Sequence, residues 1–168
     1  MTALALAVVL AAEPDPAVFT TDQDGVKFEL YVPPGVPVVR GVLVHAAHYE
    51  MKTDDRWADL CRELKFAHAA TNINLKTTNR PATLFTARHA GLKAAAEKRN
   101  HPELVNVPLA GVGHSAGGMV SDVLLRTPDR ALTYCVDCGW VVDPDKYPPE
   151  GQAVPALFTM GAIPDGFK

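Results

Sequence analysis

The run Val107-Pro108-Leu109-Ala110-Gly111-Val112 passes without a break into Gly113-His114-Ser115-Ala116-Gly117-Gly118, and residues 119–126 then suit a helix that Thr127-Pro128 stops. A short continuous apolar run is the pattern of a strand covered on both faces. The strand-to-helix turn that follows is tight. Gly113 and Gly117 stand two residues either side of Ser115, where any larger residue is expected to collide across the bend. Such a turn holds its serine in a strained backbone conformation and lifts the hydroxyl above the sheet edge. It also sets the N–H groups of Ser115 and Ala116 at a helix start, where unpaired donors and the helix dipole favour negative charge.

A strand buried on both faces needs neighbours beside it and helices over it. The rest of the chain supplies them. Residues 26–32 alternate apolar and polar, as a half-buried strand does, and Pro33-Pro34-Gly35 ends them. Residues 41–44 are a second continuous apolar run. Residues 54–70 read as a helix, with Trp57, Leu60, Cys61, Leu64 and Ala67 at three- and four-residue steps and Asp54 and Asp55 near its start. A weak strand at 71–75, a helix at 81–98 opened by Pro81, and apolar runs at 132–142 and 154–160 complete the series. Strands alternating with helices imply an α/β fold: a doubly wound, mostly parallel sheet with helices on both faces. Ligands of such sheets sit beyond the carboxyl ends of the strands. Residues 45–50, the Ser115 turn and residues 161–165 all fall there.

With 168 residues, 48% of them hydrophobic, the chain is expected to form one domain with a substantial core over residues 13–168. Residues 1–12 are an apolar stretch too short to span a bilayer, which takes ~20 residues. They read as a signal peptide with Ala11-Ala12 at its cleavage site, which would direct the protein to the periplasm or outside the cell, although no Lys or Arg precedes them. The alternatives are a buried N-terminal segment in a cytoplasmic protein or a start site further upstream. A net charge of -3 gives no case for a nucleic-acid partner, and no stable membrane span is expected. Cys61, Cys135 and Cys138 are an odd number and make no disulfide framework; Cys135 and Cys138 read as buried strand cysteines.

The Gly-His-Ser-Ala-Gly-Gly stretch, between its strand and its helix, resembles the nucleophile elbow of the α/β-hydrolase family, and the similarity extends over nearly the whole chain after residue 20. The resemblance implies that Ser115 is the nucleophile of a serine esterase or lipase-like enzyme and that no cofactor is needed. It implies an oxyanion hole from the backbone N–H groups of Ala116 and of Ala47, the latter on the loop taken to run from His45 to Glu50. That loop departs from the family's glycine-rich form, with alanines in place of glycines. The family order of nucleophile, acid and histidine points to Asp165, after the 154–160 strand, as the acid, with Asp143 second. No histidine follows Asp165 before Lys168. The chain is therefore expected to be the larger N-terminal part of such an enzyme, lacking the last strand and helix and nearly inactive by itself. A truncated gene, or a base supplied by another chain, would give the same pattern.

His45, His48, Tyr49 and Trp140 are candidates for a substrate pocket. His45 and His48 with Glu50 have a spacing that zinc could use, but no third group of ligands accompanies them, so no metal is expected. His68, His89 and His101 fall on or after helices and read as surface or packing residues. The expected partner is a small-molecule ester, with a peptidase or thioesterase of the same fold as variants. A non-catalytic ligand-binding module, its cleft lined by Tyr49, Trp140 and Tyr147, is the rival from a different class.

Overall fold

The computed structural model describes residues 18–23, 26–47, 52–72, 81–138 and 149–159. Among them, seven strands form one mixed sheet: β1 (Val18–Gln23), β2 (Val26–Tyr31), β3 (Gly41–Ala47), β4 (Phe66–Asn72), β5 (Leu109–His114), β6 (Ala131–Asp137) and β7 (Ala156–Thr159). Their order across the sheet is β1-β2-β4-β3-β5-β6-β7. β2 runs antiparallel to β1 and β4, and the pairs from β4 to β7 are all parallel. The helices are α1 (Asp55–Leu64), α2 (Pro81–Arg99), α3 (Val120–Leu125) and the four-residue α4 (Pro149–Gln152), with 3₁₀ turns at Pro102–Val105 and Ser115–Met119.

Two apolar layers lie on opposite faces of this sheet. One packs Phe28 and Leu30 of β2, Val42 and Val44 of β3, and Ala67 and Ala69 of β4 against Leu92 and Ala95 of α2 and Leu124 of α3. The other packs Leu43 of β3 and Tyr31 against Cys61 and Trp57 of α1, with Phe66, Ala110 and Val112 around them. Neighbouring residues of a strand point to opposite faces, so β3 feeds both layers, and all seven of its residues are buried. The sheet with helices on both faces expected from the sequence is present.

The connections give the sheet its functional geometry. From β3 the chain crosses through α1 to β4 on one side. From β5 it crosses through α3 to β6 on the other. Right-handed crossovers that leave in opposite directions place their helices on opposite faces. β3 and β5 are adjacent, so the crevice between their carboxyl ends is the topological switch point of the sheet, where open α/β sheets bind their ligands.

The structure corrects the sequence reading at three places. The helix expected over 54–70 ends at Leu64, and Phe66–Asn72 is the strand β4. Lys65 makes the break in a left-handed conformation (φ 57), its N–H turned back to Arg62 O and Cys61 O. A lysine carries no sequence mark of such a stop, and the alanines after it favour a helix as much as a strand. Pairing with β2 and β3 at once overrides that propensity. Second, β3 runs on through His45, Ala46 and Ala47, where the sequence suggests a loop. Third, β1 was not anticipated, although Asp24-Gly25 between two extended runs is a hairpin signal.

Other sequence expectations fall wholly or partly outside the described residues: the 1–12 segment, residues 48–50 of the 45–50 loop, residues 73–75 of the weak strand, residues 139–142 of the 132–142 run, Met160 of the last run, and residues 161–165. No helix among the described residues is long and apolar enough to cross a membrane.

Gly91 tests how closely α2 is seated. A Cβ built there lies 2.8 Å from the ring of Phe28, itself buried in the sheet. In an isolated helix Gly→Ala gains up to about 1 kcal/mol. Here overpacking reverses the sign, and Gly91→Ala is expected to lower unfolding stability by about 1–3 kcal/mol in urea titration. A rise in the midpoint would contradict this packing.

Candidate active site at the β3–β5 crevice

β5 alternates buried and half-buried residues up to His114, and the chain then turns at Ser115 into a 3₁₀ segment that continues as α3. Ser115 has φ 54, in the left-handed region. For a residue with a Cβ this conformation costs about 1–3 kcal/mol and persists only where the surroundings enforce it. The surroundings are the two glycines. A Cβ at Gly113 would run into the Gly117 carbonyl and come within 2.9 Å of Gly118 N. A Cβ at Gly117 would run into the Ala46 carbonyl and come within 3.0 Å of Ala47 N. Gly113 is thus required by the turn itself, and Gly117 by the strand beside it.

That second contact joins the turn to the end of β3. Ala46 is paired with Gly113 in the sheet, and Ala46 and Ala47 are fully buried. Ala116 is buried beside the turn, whereas Ser115 keeps part of its surface open to solvent. Ser121, at the start of α3, donates its hydroxyl to Gly118 O at 2.6 Å and steadies the far end of the turn. The structure therefore brings Ser115, Ala116 and Ala47 together at the switch point. Ser115–Met119 form a 3₁₀ segment where the tight turn is expected, and the α-helix begins at Val120, one residue later than the sequence suggests.

His45 lies on β3 rather than in a loop, and its ring faces the α1 layer. It meets Trp57 edge-on, with centroids 4.8 Å apart, and its Nδ1 lies 3.4 Å from Nε2 of His68. His68 reads from the sequence as a helical surface or packing residue. It sits on β4, fully buried, stacked on Trp57 with planes 8° apart, and its Nδ1 is 2.8 Å from Thr53 Oγ1. Neither Thr53 nor His68 belonged to the expected site, because the position of β4 was not legible. Asp137 was also missed. It ends β6 in register with His114 and puts an exposed carboxylate on the same sheet edge as the turn. Asp165, Asp143, His48, Tyr49, Trp140 and Tyr147 lie outside the described residues.

Burial lowers the pKa of both histidines from 6.5 to about 4. For His45, Asp54 opposes the shift and His114 adds to it; for His68, His45 adds and Asp54 opposes. Both rings are neutral at pH 7. Burial also raises the Cys61 thiol to about 11, so it is inert at neutral pH. None of the three cysteines forms a disulfide, and the expected pair of buried strand cysteines is not found: Cys135 is half-buried on β6, and Cys138 is exposed just beyond the strand's end. Among the described residues, no group of three or more His, Cys, Asp or Glu is placed to hold a metal ion.

No protein-family model matches the sequence, and a search of curated proteins finds no match. Solved structures do match. Poly(aspartic acid) hydrolase-1 from Sphingomonas sp. KT-1 superposes with a TM-score of 0.60 at 13% identity, over 89% of this chain and 73% of that one. Acetyl xylan esterase from Aspergillus awamori gives 0.55 at 14% identity, over 74% and 52%. Dienelactone hydrolase from Anabaena variabilis gives 0.54 at 14% identity, over 87% and 74%. The chain spans only part of the length of these proteins, and 48% of a bacterial heroin esterase that it also resembles.

The two buried histidines couple stability to pH. Above about pH 6.5 they are neutral whether folded or unfolded. Below it the unfolded chain binds protons that the folded one refuses until about pH 4. Stability is therefore expected to fall between pH 6.5 and 4, by up to roughly 3 kcal/mol for each of the two histidines. Urea titrations between pH 6.5 and 5, above the carboxylate range, should show this slope, and a His45→Gln/His68→Gln double variant should flatten it. An equal slope in both proteins would show that the histidines are not held neutral.

The seven-stranded, mostly parallel sheet, its two helical layers and these structural likenesses together give the chain the α/β-hydrolase fold.

Proposed function

We propose that this chain carries the acyl-transfer core of a serine hydrolase acting on small-molecule carboxylic esters. The observation that supports it most is the strained Ser115 (φ 54), held between two glycines with Gly117 seated on the Ala46–Ala47 peptide. In this reading Ser115 Oγ attacks the ester carbon as a histidine takes its proton. The carbonyl oxygen gains the negative charge and is received by the N–H groups of Ala116 and Ala47. Collapse of the intermediate breaks the bond to the alcohol, which leaves with the histidine's proton, and water then releases the acid by the same steps. Each oxyanion donor is worth about 3 kcal/mol of barrier.

Asp165 is proposed to orient the histidine, whose place in the family's order is after the acid. That part of the assembly lies outside the described residues. The ester substrate is favoured by the names of an acetyl xylan esterase and a heroin esterase among the structural likenesses. Peptidases and thioesterases share the same machinery.

A fluorophosphonate probe needs an activated serine. In the full-length gene product it is expected to label Ser115, and Ser115→Ala should abolish labelling and lower p-nitrophenyl acetate hydrolysis by about 10³-fold or more. A folded protein that resists labelling and shows no Ser115-dependent turnover would instead be a binding module.

A further inference from the structure

We propose that His68 is a positioning residue, which fixes the carboxyl end of β3 by holding His45 and Thr53 at the same time. The importance of that strand end rests on the ester-hydrolase reading, because Ala47, two residues after His45, is the proposed oxyanion donor.

The geometry that points to it is a chain of contacts across four elements. Glu29 Oε1 of β2 accepts from Thr53 N at 3.3 Å. Thr53 Oγ1 meets His68 Nδ1 at 2.8 Å, and His68 Nε2 meets His45 Nδ1 at 3.4 Å. Trp57, near the start of α1, covers both rings, and its backbone N–H donates to Asp54 Oδ1 at 3.1 Å. Neutral imidazole has one donor and one acceptor. If His68 donates through Nε2, it accepts the Thr53 hydroxyl proton at Nδ1; if it donates through Nδ1, it accepts at Nε2 from His45. Either arrangement uses both nitrogens of a fully buried ring.

An apolar side chain would fill this space without the cost of burying an imidazole, but it would supply no direction. His68 supplies two. One reaches Thr53 in the segment just before α1, and the other the side chain at position 45 of β3. The Ala46–Ala47 peptide that this holds is the surface on which Gly117 rests. A displacement at β3 therefore reaches both the orientation of the Ala47 N–H and the seat of the Ser115 turn. Oxyanion donors act only when preorganised, and small misplacements are costly.

The test uses the full-length protein with His68→Leu, His68→Gln and His68→Asn. Glutamine keeps a polar group near Nε2 and hence the His45 contact; asparagine keeps one near Nδ1 and hence only the Thr53 contact. Two readouts are taken: amide hydrogen exchange at Ala46 and Ala47 relative to Ala110 and Val112, and kcat and KM for p-nitrophenyl acetate. His68→Leu is expected to speed exchange at Ala46 and Ala47 selectively and to lower kcat about tenfold with little change in KM. His68→Gln should recover most of both effects and His68→Asn little of either. Uniform loss of protection across the sheet, unchanged exchange at Ala47, or no recovery by glutamine would overturn the proposal. If the variants do not fold, long-range ¹⁵N spectra of the unmodified protein decide it: one fixed tautomer on each ring supports the positioning role, and averaged tautomers refute it. If Ser115 proves dispensable for turnover, the ester-hydrolase reading fails, and exchange at Ala46 and Ala47 still decides whether His68 holds the strand.

Discussion

The absence of a side chain at residue 117 lets the chain turn back over the end of β3. A Cβ there would overlap the Ala46 carbonyl, and one at Gly113 would overlap Gly117 in turn. The two glycines, the left-handed Ser115 between them and the strand beside them form one close-packed unit. Interiors at this density do not yield by small adjustments, so the turn is fixed by its neighbours and not by its own preference. The strain at Ser115, about 1–3 kcal/mol, is supported by the whole β3–β5 pairing.

The sheet places that unit where it can meet a ligand. β3 and β5 send their crossovers in opposite directions, and α1 and α3 land on opposite faces. Between them the carboxyl ends of two adjacent strands are left uncovered by either connection. The α1 side of the crevice is built differently from the α2–α3 side. It holds two neutral imidazoles and an indole within 5.5 Å of one another, whereas the other face packs aliphatic side chains around Val42, Val44 and Leu124 together with Phe19, Phe28 and Tyr134.

Much of this was legible in the residues. The glycines around Ser115 signal the turn because steric demands are local, and the β3 and β5 runs signal covered strands because burial on both faces removes alternation. What failed depended on long-range pairing. Nothing at Lys65 announces that a helix stops there, and the alanines of β4 carry no strand pattern until β2 and β3 flank them. With β4 unseen, His68 could only be read as a helical packing residue, and its contacts to His45 and Thr53 were out of reach. The end of β3 was set too early for the same reason: His45, Ala46 and Ala47 are polar or small, and only pairing with Ala70, Thr71 and Asn72 makes them strand.

The central claim is that the Ser115 turn and the end of β3 form one oxyanion-binding surface. A crystal structure of the full-length protein carrying a phosphonate on Ser115 Oγ tests it most directly. The account predicts that the phosphoryl oxygen lies about 2.7–3.1 Å from both Ala116 N and Ala47 N, with Ser115 still left-handed. A phosphoryl oxygen turned to solvent, or bound by other groups while Ala47 N remains distant, would contradict it.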